Sequence, residues 1–188
     1  RDPFPRADGT LDWVKWECRP WYDAKGEIGG LILFAEIIND RVRAEDEITK
    51  ARRFAESTLE AIPASIVVLN CAGKIISTNE SWNAFAAANG GTINTGGLGS
   101  SYLAVCDAAA GDGDEDASRF AVGIREVMSG ASARFSMEYA CHSPTEMRWF
   151  VGYVTPFAGN GPHSVVIAHV DVSERKRAEQ VIRRLNEE

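Results

Sequence analysis

The sequence has few of the features that mark disulfide-bonded, membrane-spanning or nucleic-acid-binding proteins. It holds four cysteines, and no two of them have the CxxC spacing, so a disulfide framework is not indicated. No apolar run approaches the roughly 20 residues that a membrane span needs, so no membrane segment is expected in this chain. Lysine and arginine number 20 against 27 acidic residues, and the net charge of −7 argues against nucleic acid as the main partner.

Motifs of hydrolytic enzymes are also missing. Neither G-x-S-x-G nor H-E-x-x-H occurs, and the three histidines and scattered carboxylates define no catalytic constellation, so we expect no enzymatic activity in this chain. A small α+β enzyme with an apolar pocket is the alternative, and no sequence feature favours it. Because residue 1 is Arg and no signal peptide is present, we expect a segment of a longer protein that works in the cytoplasm.

One unit of the sequence occurs twice. The segment Asp12–Pro20 aligns with Arg148–Pro156, with Trp second and Pro last in both copies. Further along, Arg43–Ile48 aligns with Arg177–Ile182 at a slightly shorter spacing, as a shorter hairpin loop would produce. Strand, turn, strand and charged helix therefore recur in the same order. Little sequence precedes the first copy, so we expect residues 1–40 to be the end of a domain whose front half is absent.

The hydrophobic pattern predicts an α+β fold. Residues 12–20 and 29–38 have the composition of two antiparallel strands, and residues 40–62 that of a helix with a narrow apolar seam suited to pairing. After Pro63 the order is strand, strand, helices and three further strands, mostly joined by short turns. This order predicts a five-stranded antiparallel sheet with helices on one face.

The ends of both copies resemble the PAS family of sensory domains. The run Asp171–Glu179, and less closely Ile38–Glu45, is similar to the sequence with which PAS domains commonly end and a signalling helix begins. The resemblance implies a PAS-like five-stranded sheet flanked by signalling helices. It divides the chain into the C-terminal part of a first PAS domain (1–40), a linker helix (41–62), a complete PAS domain (63–173) and the start of a signalling helix (174–188).

The same resemblance implies a sensory and dimerising module of a signal-transduction protein. A small-molecule or redox cue in the cavity between sheet and helices would shift the C-terminal helix, with Asp171, Glu174 and Arg175 as coupling residues. The shift would reach an output domain beyond Glu188, such as a histidine kinase or a nucleotide cyclase. The flanking helices would form a homodimer, and the sequence requires no cofactor.

Six side chains on the last three predicted strands are candidates for the lining of that cavity, although residues at strand spacing are more often plain core. They are aromatic, thioether or imidazole side chains, which suit a small ligand. The candidates are Phe135, Met137, Tyr139, Trp149, Tyr153 and His169.

An alternative function is a haem- or metal-bearing redox or gas sensor. Cys106, Cys141 and His142 offer sulfur and imidazole ligands, which suit zinc or iron. Cys141 and His142 are neighbours in a predicted strand and so point to opposite faces, which disfavours joint ligation. His169 is the candidate haem ligand, although haem-binding PAS sensors usually take their ligand from the preceding long helix, which here has no His.

Overall fold

The structure is a computed structural model that describes residues 1–88, 96–141, 146–159, 161 and 163–187. These residues form two compact units, Arg1–Ser57 and Thr58–Glu188. The second unit holds the cavity on which the function depends.

The first unit begins with an antiparallel sheet of three strands: β1 (Asp2–Pro5), β2 (Leu11–Tyr22) and β3 (Ile28–Ile37). Strands β2 and β3 form the predicted hairpin. Strand β1 is a correction to the sequence analysis, which expected two strands only. Two of its four residues are prolines, which cannot donate to a sheet ladder and are confined to edge strands, so the composition hid it.

Helix α1 (Asn39–Ala61) follows the hairpin, within one residue of the predicted bounds at each end. No residue of this fully described helix is buried. Its predicted seam is therefore exposed, and Ile48 keeps 69% of its surface accessible.

The second unit contains the predicted five-stranded antiparallel sheet. Its strands are β4 (Ser65–Leu69), β5 (Ile75–Thr78), β6 (Phe135–Ala140), β7 (Trp149–Pro156) and β8 (Val165–Asp171). Their order across the sheet is β5-β4-β8-β7-β6, and every neighbouring pair runs antiparallel. The α+β fold class is confirmed, and β8 lies at the centre of the sheet.

The described residues of this unit also form four helices. Helices α2 (Glu80–Ala88), α3 (Tyr102–Gly111) and α4 (Glu115–Ser129) lie between β5 and β6 in the chain, and α5 (Ser173–Glu187) follows β8. Within the described residues, no helix is both long and apolar enough to cross a membrane.

The ends of α3 and α4 are fixed by local hydrogen bonds. The side chains of Ser101 and Asp114 accept hydrogen bonds from backbone N–H groups in the first turns, as N-caps do. Gly130 ends α4 in a left-handed conformation with φ of 80°, which glycine adopts without strain, as C-cap residues do.

Helix α4 supplies much of the core because one of its faces is apolar. Phe120, Ile124 and Val127 are almost fully buried there. They pack against inward-facing side chains of β4, β6, β7 and β8, among them Val67, Leu69, Met137, Val154, Val165 and Ile167. The core thus holds α4 against the sheet, and the cavity lies beside it.

Candidate functional site

An aromatic cavity of about 120 Å³ lies between the sheet and the helices of the second unit. Helices α2 and α3 and strands β4, β6, β7 and β8 contribute to it. Its lining residues are Ser65, Trp82, Phe85, Tyr102, Tyr139, Cys141, Phe150 and His169.

Strand alternation and register turn these side chains into the cavity. Tyr139 on β6 lies directly opposite Phe150 on β7, and Ser65 on β4 lies opposite His169 on β8, so each pair shares one face of the sheet. Gly152 lies opposite His169, and a Cβ atom there would overlap the Phe120 ring. The missing side chain lets α4 approach the sheet beside the cavity.

His169 joins two tyrosines at the wall of the cavity. Its Nε2 atom is 3.0 Å from the Tyr102 hydroxyl oxygen, and its Nδ1 atom is 2.6 Å from the Tyr139 hydroxyl oxygen. The Trp82 and Phe120 rings lie against the imidazole at centroid distances of 5.8 and 5.5 Å. We call Tyr102, His169 and Tyr139 the Tyr–His–Tyr relay.

Burial keeps all three groups of this relay uncharged near neutral pH. Because desolvation penalises the imidazolium, it lowers the pKa of His169 to about 4. The same desolvation raises the pKa of Tyr102 and of Tyr139 above the usual range. The relay is therefore a chain of neutral hydrogen bonds.

Asn79 fixes the helix that carries Trp82. It is 1% exposed, and its Oδ1 atom accepts hydrogen bonds from the N–H groups of Ile66 at 2.9 Å and Trp82 at 3.0 Å. Its Nδ2 atom donates to the carbonyl oxygens of Ala64 at 2.8 Å and Leu59 at 3.3 Å. One buried amide thus caps α2 and ties it to the start of β4.

The structure separates the six predicted lining residues into three groups. Tyr139 and His169 line the cavity. Met137 is buried in the core, and Phe135 packs beside it against Phe120, with ring centroids 6.0 Å apart. Met137 and Phe135 are therefore core residues, which is the alternative stated for residues at strand spacing.

Trp149 and Tyr153 are a correction, because neither lines the cavity. They occupy the positions of β7 that alternate with the buried Phe150, Gly152 and Val154, and Tyr153 is 47% exposed. The apolar residues of β7 occur at both parities, so the sequence did not show which face is inward. Four aromatic lining residues were not predicted: Trp82, Phe85, Tyr102 and Phe150. The only sequence signal for any of them is the i,i+3 spacing of Trp82 and Phe85, which indicates an apolar face of α2.

The predicted sulfur and imidazole ligands gain no support from the geometry. Cys106 and Cys141 both line an adjoining cavity of about 170 Å³, whereas His142 lies outside the described residues. Burial raises the pKa of the Cys106 thiol to about 11, so the thiol is protonated near neutral pH when no cation lies beside it. In the part of the chain that the structure describes, no three His, Cys, Asp or Glu residues are grouped to hold a metal ion.

The cavity is contiguous with the start of helix α5. A shallow groove of about 360 Å³ shares Ser65, Phe150 and His169 with the cavity and extends to Asp171. The Asp171 carboxylate accepts a hydrogen bond from the N–H of Ser173 at 2.8 Å, which caps the first turn of α5. The cavity wall and the helix cap thus lie on one strand, two residues apart.

The first turn of α5 also contacts the neighbouring strands. Arg175 donates to the Glu138 carboxylate at 3.2 Å, and Lys176 forms a second ion pair with it. The two cations, Lys176 foremost, hold the pKa of the Glu138 carboxyl below its usual range. Glu174 is exposed in the same turn. Of the three predicted coupling residues, Asp171 and Arg175 make contacts that link α5 to the sheet.

Known proteins are similar to this chain, and the family match lies in the second unit. A family model described as the PAS fold covers residues 59–177. An uncharacterised 104.1 kDa protein of Rhodobacter capsulatus, encoded in the hypE 3′ region, is 33% identical over 132 residues. That match covers 68% of this chain and only 14% of the relative's length.

Solved structures of low sequence identity are also similar. The PAS domain of Bordetella pertussis BvgS is 14% identical, with a TM-score of 0.48 over 73% of this chain and 98% of that chain. The PAS domain of the HTR-like protein from Haloarcula marismortui is 20% identical, with a TM-score of 0.46 over 69% of this chain and 98% of that chain.

Proposed function

The chain belongs to the PAS family of sensory domains, and from this membership we propose that its aromatic cavity binds a small molecule whose presence is relayed to helix α5. The observation that carries the proposal is the position of His169 and Asp171 on one strand. His169 forms the cavity wall, and Asp171 caps α5 two residues later. A ligand that displaces β8 would therefore act on the start of the helix.

The signal would pass from α5 to an output domain that follows it, such as a histidine kinase or a nucleotide cyclase, and we assign the catalytic step to that domain. Exposed apolar residues on α5, with Val181, Ile182 and Leu185 each more than half accessible, support pairing of α5 with the same helix of a second copy. All four cysteines are free thiols, which supports a reducing, cytoplasmic setting.

We also propose that the first unit is the end of a second PAS copy. Val14 pairs with Ile37 across β2 and β3 as Phe150 pairs with Asp171 across β7 and β8, which is the same register at the aligned positions. The face that corresponds to the buried face of β7 and β8 carries Leu33, which is 62% exposed. That exposure supports a missing helical layer.

The experiment that tests the sensory function fills the cavity with a side chain. Ser65→Phe places a ring in the cavity, and Ser136→Phe places the same ring on the exposed face of β6. In the full-length protein that carries the output domain, Ser65→Phe should change the output signal. Ser136→Phe should leave it at the wild-type level. Equal output from both variants and from the wild type would refute signal transmission from the cavity to α5.

A further inference from the structure

The Tyr–His–Tyr relay has one more proton than it can use internally. Neutral imidazole carries one N–H donor and one acceptor nitrogen, and each tyrosine hydroxyl carries one proton. The relay thus holds three protons and forms two hydrogen bonds, one at each ring nitrogen of His169. Whichever tautomer His169 adopts, one tyrosine donates to it and the other accepts from it. The accepting tyrosine keeps a free O–H proton.

That proton belongs to a hydroxyl at the cavity wall. Tyr102 and Tyr139 both line the cavity, and among the described residues neither hydroxyl has an acceptor other than His169. A buried donor without a partner is unfavourable, so a ligand that brings a hydrogen-bond acceptor to this hydroxyl is favoured. The cavity therefore offers one hydrogen-bond donor, whose position depends on the tautomer of His169.

Apart from Ser65 and Cys141, the described wall is aromatic. Rings of Trp82, Phe85, Phe150 and the two relay tyrosines surround the space, and no Asp, Glu, Lys or Arg is among its described lining residues. Aromatic walls pack well against a planar ring in stacked or edge-to-face contact. A charged ligand would lose its hydration here without an opposite charge in return.

The volume of the cavity itself fits a single ring. An engineered protein cavity of 150 Å³ holds one benzene molecule, and this cavity measures about 120 Å³ on a partly open site. We infer that the cavity binds an uncharged, single-ring aromatic compound with one hydrogen-bond acceptor, which receives the free tyrosine proton. The inference rests on the proposed function, since it names the ligand class of the same cavity.

The position of the acceptor on the ligand then selects the tautomer. An acceptor beside Tyr139 favours His169 with its proton on Nδ1, so that Tyr102 donates to Nε2. An acceptor beside Tyr102 favours the opposite arrangement. Ligand orientation is thereby converted into a choice between two hydrogen-bond patterns that join α3, β8 and β6.

Three single-ring probes test the inference: benzene, pyridine and the N-methylpyridinium cation. They are titrated into the chain near pH 8 and followed by NMR shifts of Tyr102, Tyr139 and His169. Pyridine should bind at least as tightly as benzene, although water solvates its nitrogen, because a tyrosine proton replaces that water. It should bind at least tenfold more tightly than N-methylpyridinium. Tenfold tighter binding of benzene or of the cation would overturn the inference, as would the absence of binding by all three.

A cavity-filling pair locates the binding. Ser65→Phe should abolish binding of pyridine, and Ser136→Phe should bind it as the wild type does. Pyridine binding that survives in Ser65→Phe would overturn the assignment to this cavity.

The ligand class and the proposed coupling of the cavity to α5 can be refuted separately. If the order of probe affinities is wrong but the amide exchange rate at Lys176 changes on binding, the proposed ligand class is refuted and the coupling of the cavity to α5 stands. If the affinities follow the expected order but exchange at Lys176 is unchanged, the ligand class is supported and the coupling of the cavity to α5 is refuted.

Discussion

Trp149 and Ser173 join strand β7 to helix α5 at the residue where the helix begins. The Trp149 N–H donates to Ser173 Oγ at 3.0 Å, and the N–H of the intervening Val172 donates to the Trp149 carbonyl at 2.9 Å. In the first unit, the Trp13 N–H donates to Asn39 Oδ1 at 2.6 Å at the start of α1. Both helices thus leave their sheets through the same contact to the tryptophan strand.

We expect Ser173→Ala to destabilise the second unit. Ser173 is 3% exposed, and the change leaves the Trp149 N–H without its acceptor, which costs about 1–3 kcal/mol. Chemical denaturation of both proteins measures the loss. Ser136→Ala makes the same chemical change at an exposed position of β6 and should stay within about 0.5 kcal/mol of the wild type. Equal unfolding free energies for the two variants would contradict the role of Ser173.

Asp171→Ala should alter signalling more than stability. Loss of a helix cap costs roughly 0.5–2 kcal/mol, which lowers the melting temperature only slightly. Output of the full-length protein should respond to the cue differently because α5 is no longer tied to β8 through Ser173. Asp171→Asn keeps an acceptor oxygen and should retain most of the regulation. A normal output response in Asp171→Ala would refute the coupling role.

The stability of the second unit should depend on pH through His169. Because the pKa of His169 is lowered from 6.5 in the unfolded chain to about 4 in the folded protein, only the unfolded state takes up this proton between those values. Stability is therefore full above pH 6.5 and falls as the pH is lowered toward 4, by on the order of 3 kcal/mol.

The control for this pH dependence is His169→Gln, which can still donate and accept a hydrogen bond but does not titrate. The acidic residues common to both proteins titrate alike, so the difference between the two unfolding curves isolates His169. Parallel curves from pH 7 to pH 4 would show that His169 is not held neutral by burial.

The proposed second PAS copy makes a prediction about Leu33. In a longer protein that includes the helical layer of this proposed copy, Leu33→Ala should cost about 2–5 kcal/mol, because the side chain would then be buried. In the present chain Leu33 is 62% exposed, and the same change should cost less than about 0.5 kcal/mol. A small effect in both proteins would contradict the proposal.

The sequence was sufficient where local periodicity and burial agree. His169 alternates with the buried Val165 and Ile167, so its inward position was predicted correctly, and Tyr139 followed from the same argument on β6. On β7 the alternation does not identify the inward face, since apolar residues occupy both faces and the inward face carries Gly152.

The remaining features depend on tertiary packing. Tyr102 reaches the cavity because α3 is placed over the sheet, and no local pattern reports that placement. The hydrogen bonds of His169 to two tyrosines, 67 and 30 residues away, arise only when three elements meet. For that reason the sequence indicated a sensory domain and some of its wall, but not the relay.

The most direct test of the account is amide hydrogen exchange in the first turn of α5, measured with and without pyridine at saturation. The Ser173 N–H donates to Asp171 and the Lys176 N–H donates to the Val172 carbonyl, so both report the junction between β8 and the helix. The account predicts a changed exchange rate at these two amides when the cavity is filled. Exchange that changes around the cavity alone, with both amides unaffected, would contradict it.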